Sequence, residues 1–514
     1  MSTMEMNSNN GGGGSEESKV GFRYEIVRPE RGRLADVLRW VLLSDNQAAD
    51  RFLETNNKDS SSSRRSSCDD DDDDKRRWVM MMSVIVRKMI SAMAKPMEWS
   101  GWAVEYLLNL LSLNGQLLGL LYNLIVSGKV VIPRRDSASF KSAIGHLDAR
   151  VDLFFPRDAL LLNVISRGGD DRPLMDLCIL ASKLAYENPS FISNIVTHHW
   201  KMHFLQFFNG WNELEKERST QVFLMCDRPV DANFILVSFR GTEPFDAHDW
   251  TTDFDYSWYH IPNIGKLHMG FLEALGLGNR ADASTFQNHL TINDVDDEMI
   301  TTTTSAYYAV RSRLKTLLLE EHKNAKFILT GHSLGGALAL LFPTILLLHQ
   351  EKELMQRLLV VYTFGQPRVG DRQLGRFMEA HLNTNTNNTT NKYLRLVYCN
   401  DLVPRLPYDN TTFLFKHFGL CLYFNSRYVE RKVEEEPNRN YFGFRYLIPE
   451  YVNAGWELVR GLSMRYMYGE DYKEAWCSIF LRLMGLAIPG VSAHSPTDYV
   501  NSVRLGKHHP PITP

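Results

Sequence analysis

The chain has 514 residues, 44% of them hydrophobic and 23% charged, with 57 Lys+Arg against 60 Asp+Glu for a net charge of −3. This composition excludes a mostly disordered, collagen-like or coiled-coil chain, and without a basic excess nothing points to nucleic acid. Six Cys (68, 178, 226, 399, 421 and 477) stand apart with no CxxC pair, which excludes a disulfide framework and a Cys zinc site and fits idle thiols of a reducing compartment.

The opening MSTMEMNSNNGGGG lacks the basic start and apolar run of a signal peptide. Without secretory entry, the sequons at Asn387, Asn388 and Asn410 read as chance matches. A short element over residues 24–53 precedes a biased stretch, 56–77, with a Ser-rich run, six Asp from Asp69 to Asp74, and Lys75-Arg76-Arg77. Like charges so dense repel one another and bury nothing, so residues 1–77 are expected to be mostly flexible.

Residues 78–97 are Met-rich and amphipathic with Arg87, Lys88 and Lys95, a helix suited to a membrane surface or to packing on the main domain. Residues 99–126, WSGWAVEYLLNLLSLNGQLLGLLYNLIV, are the most apolar stretch and have the length to span a bilayer. Their one charge is Glu105, and Asn109, Asn114, Gln116 and Asn123 interrupt them. Asn114-Gly115 is a turn dipeptide that splits the run into two short helices, either a hairpin that enters and leaves lipid on one side or a buried pair. Residues 78–135 are read as an apolar helical region that would anchor the chain to lipid if exposed, with a transmembrane span and a buried pair both left open, and 136–514 as the main domain.

From about Phe204 the pattern changes. Residues 221–224, 234–239, 327–329, 358–364 and 393–398 read as strands, with helical patterns over 307–322 and 335–349 between them. Strands alternating with helices predict an α/β fold with a mostly parallel sheet covered on both faces.

Gly331-His332-Ser333-Leu334-Gly335 is a G-x-S-x-G motif lying between the apolar strand KFILT and the helix-forming GALALLFPTILLL. That context is the nucleophile elbow, in which Gly331 and Gly335 permit a tight turn, Ser333 is lifted clear of the sheet, and a helix N-terminus favours developing negative charge. A serine nucleophile needs a base and an orienting carboxylate, here in the order Ser, acid, His. Of Asp371, Asp401, Asp409, Asp471 and Asp498, the choice is Asp401, just past the strand YLRLVYC, with Asp371 as runner-up. Of His417, His494, His508 and His509, the choice is His494 in AHSP. His417 sits among aromatics, and the last two lie in a tail expected to fray. Thr242 in FRGT, after the strand NFILVSF, and Leu334, following the nucleophile, offer backbone N–H groups as oxyanion donors, though by spacing alone FRGT fits a surface turn equally well.

GHSLGGALA, FRGT, HMGF (residues 268–271), TFGQPRVGD and NDLVPRLP, in this order over about 221–499, resemble the class 3, fungal-type lipases of the α/β-hydrolases. LNLLSLNGQLLGLLYNLI, GKVVIPRRDSASFKSAIGHLDARVDL and HSPTDYVNSVRLG resemble plant oil-body triacylglycerol lipases, a match running from about Trp99 to the end. The resemblance implies Ser333 as nucleophile, Asp401 as acid, His494 as base, Thr242 and Leu334 as oxyanion donors, and a lid over about 243–255 with Trp250 as a lipid-facing anchor. An insert over about 409–475, aromatic and basic over 425–446, and the 279–304 loop are alternative covers for the site. It also implies hydrolysis of storage triacylglycerol at a lipid-droplet (oil-body) surface, facing the cytosol. The chain carries no P-loop, Rossmann fingerprint or H-E-x-x-H, so no cofactor or metal is expected, and no motif specifies an oligomeric state. The alternatives are a phospholipase A1 or galactolipase using the same triad on polar lipids, and a non-catalytic lipase-like interaction protein.

Overall fold

In the strand Phe234–Phe239, Phe234 and Leu236 point into one core while Ile235, Val237 and Phe239 point into another. The strand Lys326–His332 divides Ile328 from Phe327 and Leu329 in the same way. This period of two, apolar on both sides, is what a sheet buried on both faces requires. The computed structural model describes residues 22–56, 70–166, 171–290, 305–382, 391–409, 415–441 and 443–508. Among them the predicted sheet is present with nine strands. Its centre is parallel and runs Phe234–Phe239, Lys326–His332, Leu358–Phe364, Tyr393–Tyr398, Leu420–Phe424. The strands His203–Asn212 and Glu217–Cys226 extend one edge antiparallel, and Val429–Val433 and Lys507–His508 extend the other. The helices Leu334–Leu348 and Ala306–Thr316 cover one face; Arg172–Leu184 and Pro496–Leu505 cover the opposite one. This is the α/β-hydrolase arrangement that the sequence predicts.

A second, six-stranded sheet takes up chain expected to be loose. The strand Arg23–Val27 pairs with Trp258–Ile261, far along the chain, and with Leu53–Thr55. Val27, Val37, Trp40 and Phe52 share a core with Met80, Met81 and Val84. The expectation of a mostly flexible 1–77 is thus corrected for residues 22–56. The helix Asp70–Ala92 moreover starts inside the acidic run, where negative charge complements a helix N-terminus. Residues 1–21 and 57–69, the three sequons and part of the 279–304 loop lie outside the described residues.

The basic amphipathic helix packs on the protein, one of the two places expected for it: Arg87 is buried and pairs with Asp255 at 2.9 Å. The run 99–126 does break at Asn114-Gly115, with Gly115 left-handed (φ 77°), but the helices Ala94–Leu113 and Gln116–Tyr122 meet in a 72° elbow instead of folding back as a hairpin. Among the described residues no single helix is long and apolar enough to cross a membrane. The polar interruptions are fastenings. Asn109 bonds Lys141 through both amide and carbonyl, Asn114 does the same with Val131, and Glu105 accepts from the Ala143 N–H.

The first half of the expected insert belongs to the fold, because Phe415–Lys416 joins the second sheet and Leu420–Phe424 the central one. The projecting part is a pair of helices, Phe444–Tyr468 and Trp476–Gly485. His508, expected to fray, pairs with Glu430 in the edge strand, and His509 is outside the described residues.

Candidate active site

Thr242, Ser333 and Asp401 each follow the carboxyl end of a parallel strand, where α/β sheets place their ligands, whereas His494 comes from the short turn before the helix Pro496–Leu505. Phe239 leads to Thr242, His332 to Ser333, and Tyr398 to Asp401. Ser333 is held at φ 58°, ψ −133°, between the strand Lys326–His332 and the helix Leu334–Leu348. The turn closes on itself: a Cβ on Gly331 would lie 2.2 Å from Gly335, and one on Gly335 would lie 2.3 Å from the Phe239 carbonyl. The tight elbow therefore admits no larger residue at either position, as the motif implies. Leu334 opens the helix, so its N–H has no intrahelical acceptor, and the helix N-terminus faces the nucleophile.

Asp401 is fully buried. Its two oxygens lie 2.9 and 2.8 Å from His494 Nδ1. Val403 N–H donates to Oδ1 at 2.9 Å, and the Tyr499 hydroxyl donates to Oδ2. Arg405 staples the acid loop from below, donating to the carbonyls of Asp401, Cys399 and Asn438. With Nδ1–H given to Asp401, His494 Nε2 is left with a lone pair, the form a general base needs. Ser333 Oγ, His494 Nε2 and Thr242 Oγ1 are all buried and make no hydrogen bond to the protein. Buried polar atoms without partners are uncommon and mark places where another molecule supplies the partner.

The other candidates are occupied elsewhere. Asp371 Oδ1 caps the helix Arg372–Leu382 by accepting from Leu374 N–H. Asp409 pairs with Lys416, Asp498 with Arg460 and Arg482, and Asp471 is exposed. His417 is buried and donates to the Pro404 carbonyl. Trp250, expected to face lipid, is half-buried, and its indole N–H donates to the Pro244 carbonyl. His268 of HMGF donates from Nε2 to the Asp255 carbonyl and caps the next helix; burial pushes its pKa down to about 4, so it is neutral and structural.

Other residues complete the site from behind. Gly365, at φ +62°, leaves space a Cβ would take within 3.0 Å of Asp401 Oδ2, Tyr499 and His494. His332 spans the site from behind: Nε2 donates to the His494 carbonyl at 3.0 Å, so Nδ1 accepts from the Tyr186 hydroxyl at 2.9 Å. Burial, with His494 beside it, holds the His332 pKa well below the usual imidazole range, which keeps that tautomer neutral. Tyr499 lies on the helix Pro496–Leu505 and Tyr186 in the turn after the helix Arg172–Leu184, and only the fold brings them to the site.

Asp253, last residue of the helix Ala247–Asp253, has both carboxylate oxygens buried without a hydrogen bond. Burial, reinforced by the charge of Asp401 and opposed by His494, pushes its pKa up to about 7. In an unfolded chain it would ionise near 3.9. Between those values the native state binds a proton that the unfolded state releases, so stability falls as pH rises towards about 7. Asp253→Asn removes this slope. The Tm difference, variant minus wild type, is expected to grow from pH 5 to pH 8 in thermal melts; a constant offset would contradict it.

A family model described as Lipase (class 3) matches residues 236–411, spanning Thr242, Ser333 and Asp401. A triacylglycerol lipase OBL1 of Nicotiana tabacum is 53% identical, the match covering 94% of this chain and 95% of that one. An OBL1 lipase of Arabidopsis thaliana is 52% identical over 97% of both chains, and one of Ricinus communis is 40% identical over 94% of both.

Proposed function

We propose that this chain, which belongs to the class 3 lipase family and is similar over nearly its whole length to plant OBL1 lipases, hydrolyses the ester bonds of triacylglycerol at a lipid-droplet surface. The observation that carries the reading is the Asp401–His494 pair beside an elbow serine, with Ser333 Oγ, His494 Nε2 and Thr242 Oγ1 all unpartnered. His494 Nε2 takes the Ser333 proton as Oγ attacks the ester carbonyl. The N–H groups of Thr242 and Leu334, with the Thr242 hydroxyl, hold the oxyanion. His494 then protonates the departing glycerol oxygen, Asp401 stabilises the imidazolium throughout, and water repeats the sequence to free the fatty acid.

Ser333 is 1% exposed, so access requires a cover to move. The segment 243–255 is the proposed lid, with Trp250 released towards lipid on opening. Its helix packs against Asp70–Ala92 and Ala94–Leu113, and Phe245 lies against Gly101. The elbow Ala94–Ser127 turns Glu105, Asn109 and Asn114 to the protein and exposes Trp99, Leu107, Leu118 and Ile125. Contact of that surface with lipid would therefore act directly on the lid's support. The test is fatty-acid release from emulsified triolein and from phosphatidylcholine vesicles, with Ser333→Ala as the blank. Release from triolein is expected to dominate. Preference for phosphatidylcholine would replace this reading with a phospholipase, and release from neither would leave a non-catalytic protein.

A further inference from the structure

We propose that the helical pair Phe444–Tyr468 and Trp476–Gly485 is a second lipid-docking surface, seated in the phospholipid monolayer beside the His494 loop. The inference rests on the lipid-surface reading above and adds to it a site in the other half of the chain.

The pair is built inside out. On the first helix Ile448, Val452, Trp456, Val459, Leu462 and Tyr466 recur at helical spacing along one face, and all are exposed, Ile448 at 75% and Tyr466 at 86%. The opposite face turns Glu450, Glu457 and Arg460 inward, each less than 4% exposed. The second helix repeats the inversion, with Trp476, Phe480, Leu483 and Met484 outward and Ser478 and Arg482 inward. A helix surrounded by water places these residues the other way round. Charges turned to the interior and apolar residues to the surroundings are the arrangement of helices in lipid.

The inward charges fix the pair to the catalytic machinery. Arg460 and Arg482 both pair with Asp498, at 2.7 and 3.1 Å, and Arg482 pairs with Glu474 at 2.6 Å. Tyr398 donates to Glu457 at 3.0 Å. Asp498 lies in the helix that follows His494, Tyr398 ends the strand before Asp401, and Gly485 packs on Ser492. The orientation of the exposed face is thereby set relative to the catalytic acid and base.

Three observations select lipid as the occupant over a protein partner. The face stands near the other exposed apolar unit, with the helix Ala143–Leu147 packed against both Trp476–Gly485 and Ala94–Leu113. Charged residues on the outer side are confined to its ends, Arg445 at one and Arg465, Glu470, Asp471 and Lys473 at the other, leaving an apolar middle. Aromatics that suit a headgroup boundary, Tyr446, Tyr451, Trp456, Tyr466 and Trp476, run through it.

The experiment uses the full chain with triolein droplets coated in phosphatidylcholine, comparing wild type, Val452→Glu/Val459→Glu and the conservative Val452→Leu/Val459→Leu. These side chains already face outward, so the fold is expected to survive, as a melt would confirm. The Glu pair is expected to lower droplet binding in flotation by about tenfold or more and triolein hydrolysis with it, while p-nitrophenyl butyrate hydrolysis in solution stays unchanged and the Leu pair behaves as wild type. Equal droplet binding by the Glu pair and wild type would overturn the proposal, as would a self-association lost in the Glu pair with lipid binding intact. If wild type floats with droplets but releases no fatty acid from triolein, the proposed activity fails while the docking comparison still decides this one.

Discussion

Ser333→Ala is expected to lower fatty-acid release from emulsified triolein by about 10⁶-fold, to the level that transition-state binding alone sustains. The same substitution is expected to leave the melting temperature unchanged or slightly raised. Ser333 Oγ is buried and makes no hydrogen bond, so removing it breaks none and relieves one unsatisfied polar atom. Its backbone, at φ 58°, is strained for Ser and Ala alike. A residue that costs stability and gives it back only as rate is the pattern of a site built for chemistry. Titration of release with matched protein, alongside thermal melts, reads both. A modest loss of activity, or a large loss of stability, would mean that Ser333 is a structural turn residue.

The elbow and the central strands were legible because their signals are local. A G-x-S-x-G between an apolar run and a helix former needs only neighbouring residues to be recognised, and so does a strand such as Phe234–Phe239 followed by the RGT turn. Asp401 and His494 were legible through chain order and their places after predicted elements, and the structure puts them in contact. Tyr499, Tyr186 and Asp253 were not, because their importance comes from what the fold places against them. An element over 24–53 was legible, but not that its strand Arg23–Val27 joins a second sheet, because one of its two partners, Trp258–Ile261, lies more than two hundred residues away. Periodicity has a further blind spot. It shows that the helix Phe444–Tyr468 has two faces but not which one is buried, and the usual assumption, apolar inward, is reversed here.

That reversal ties the parts of the molecule together. The N-terminal elbow supports the proposed lid over Ser333, and the pair of helices ending at Gly485 supports the loop that carries His494. Both expose apolar residues and hold the protein with polar ones. Under the proposed reading this arrangement lets the contact that finds the droplet surface also uncover the serine.

Asp401→Asn is expected to reduce kcat by about 10⁴-fold with little change in KM. An Asn at this place keeps the shape of the carboxylate, and Val403 N–H still has its acceptor at Oδ1. The Tyr499 hydroxyl, which now donates to Oδ2 while accepting from Tyr398 N–H, faces an amide donor instead. The same amide donates to His494 Nδ1, which must then accept, moving the ring proton to Nε2. In that tautomer His494 has no lone pair for the Ser333 proton, and no anion beside it to stabilise an imidazolium. Tyr499→Phe leaves the charge and tautomer intact and removes one bond to Oδ2, so about a tenfold loss is expected, consistent with one charge-assisted hydrogen bond. A soluble p-nitrophenyl ester separates these chemical effects from interface binding. Comparable losses for the two variants would mean that Asp401 acts through packing of its loop and not through the proton on His494.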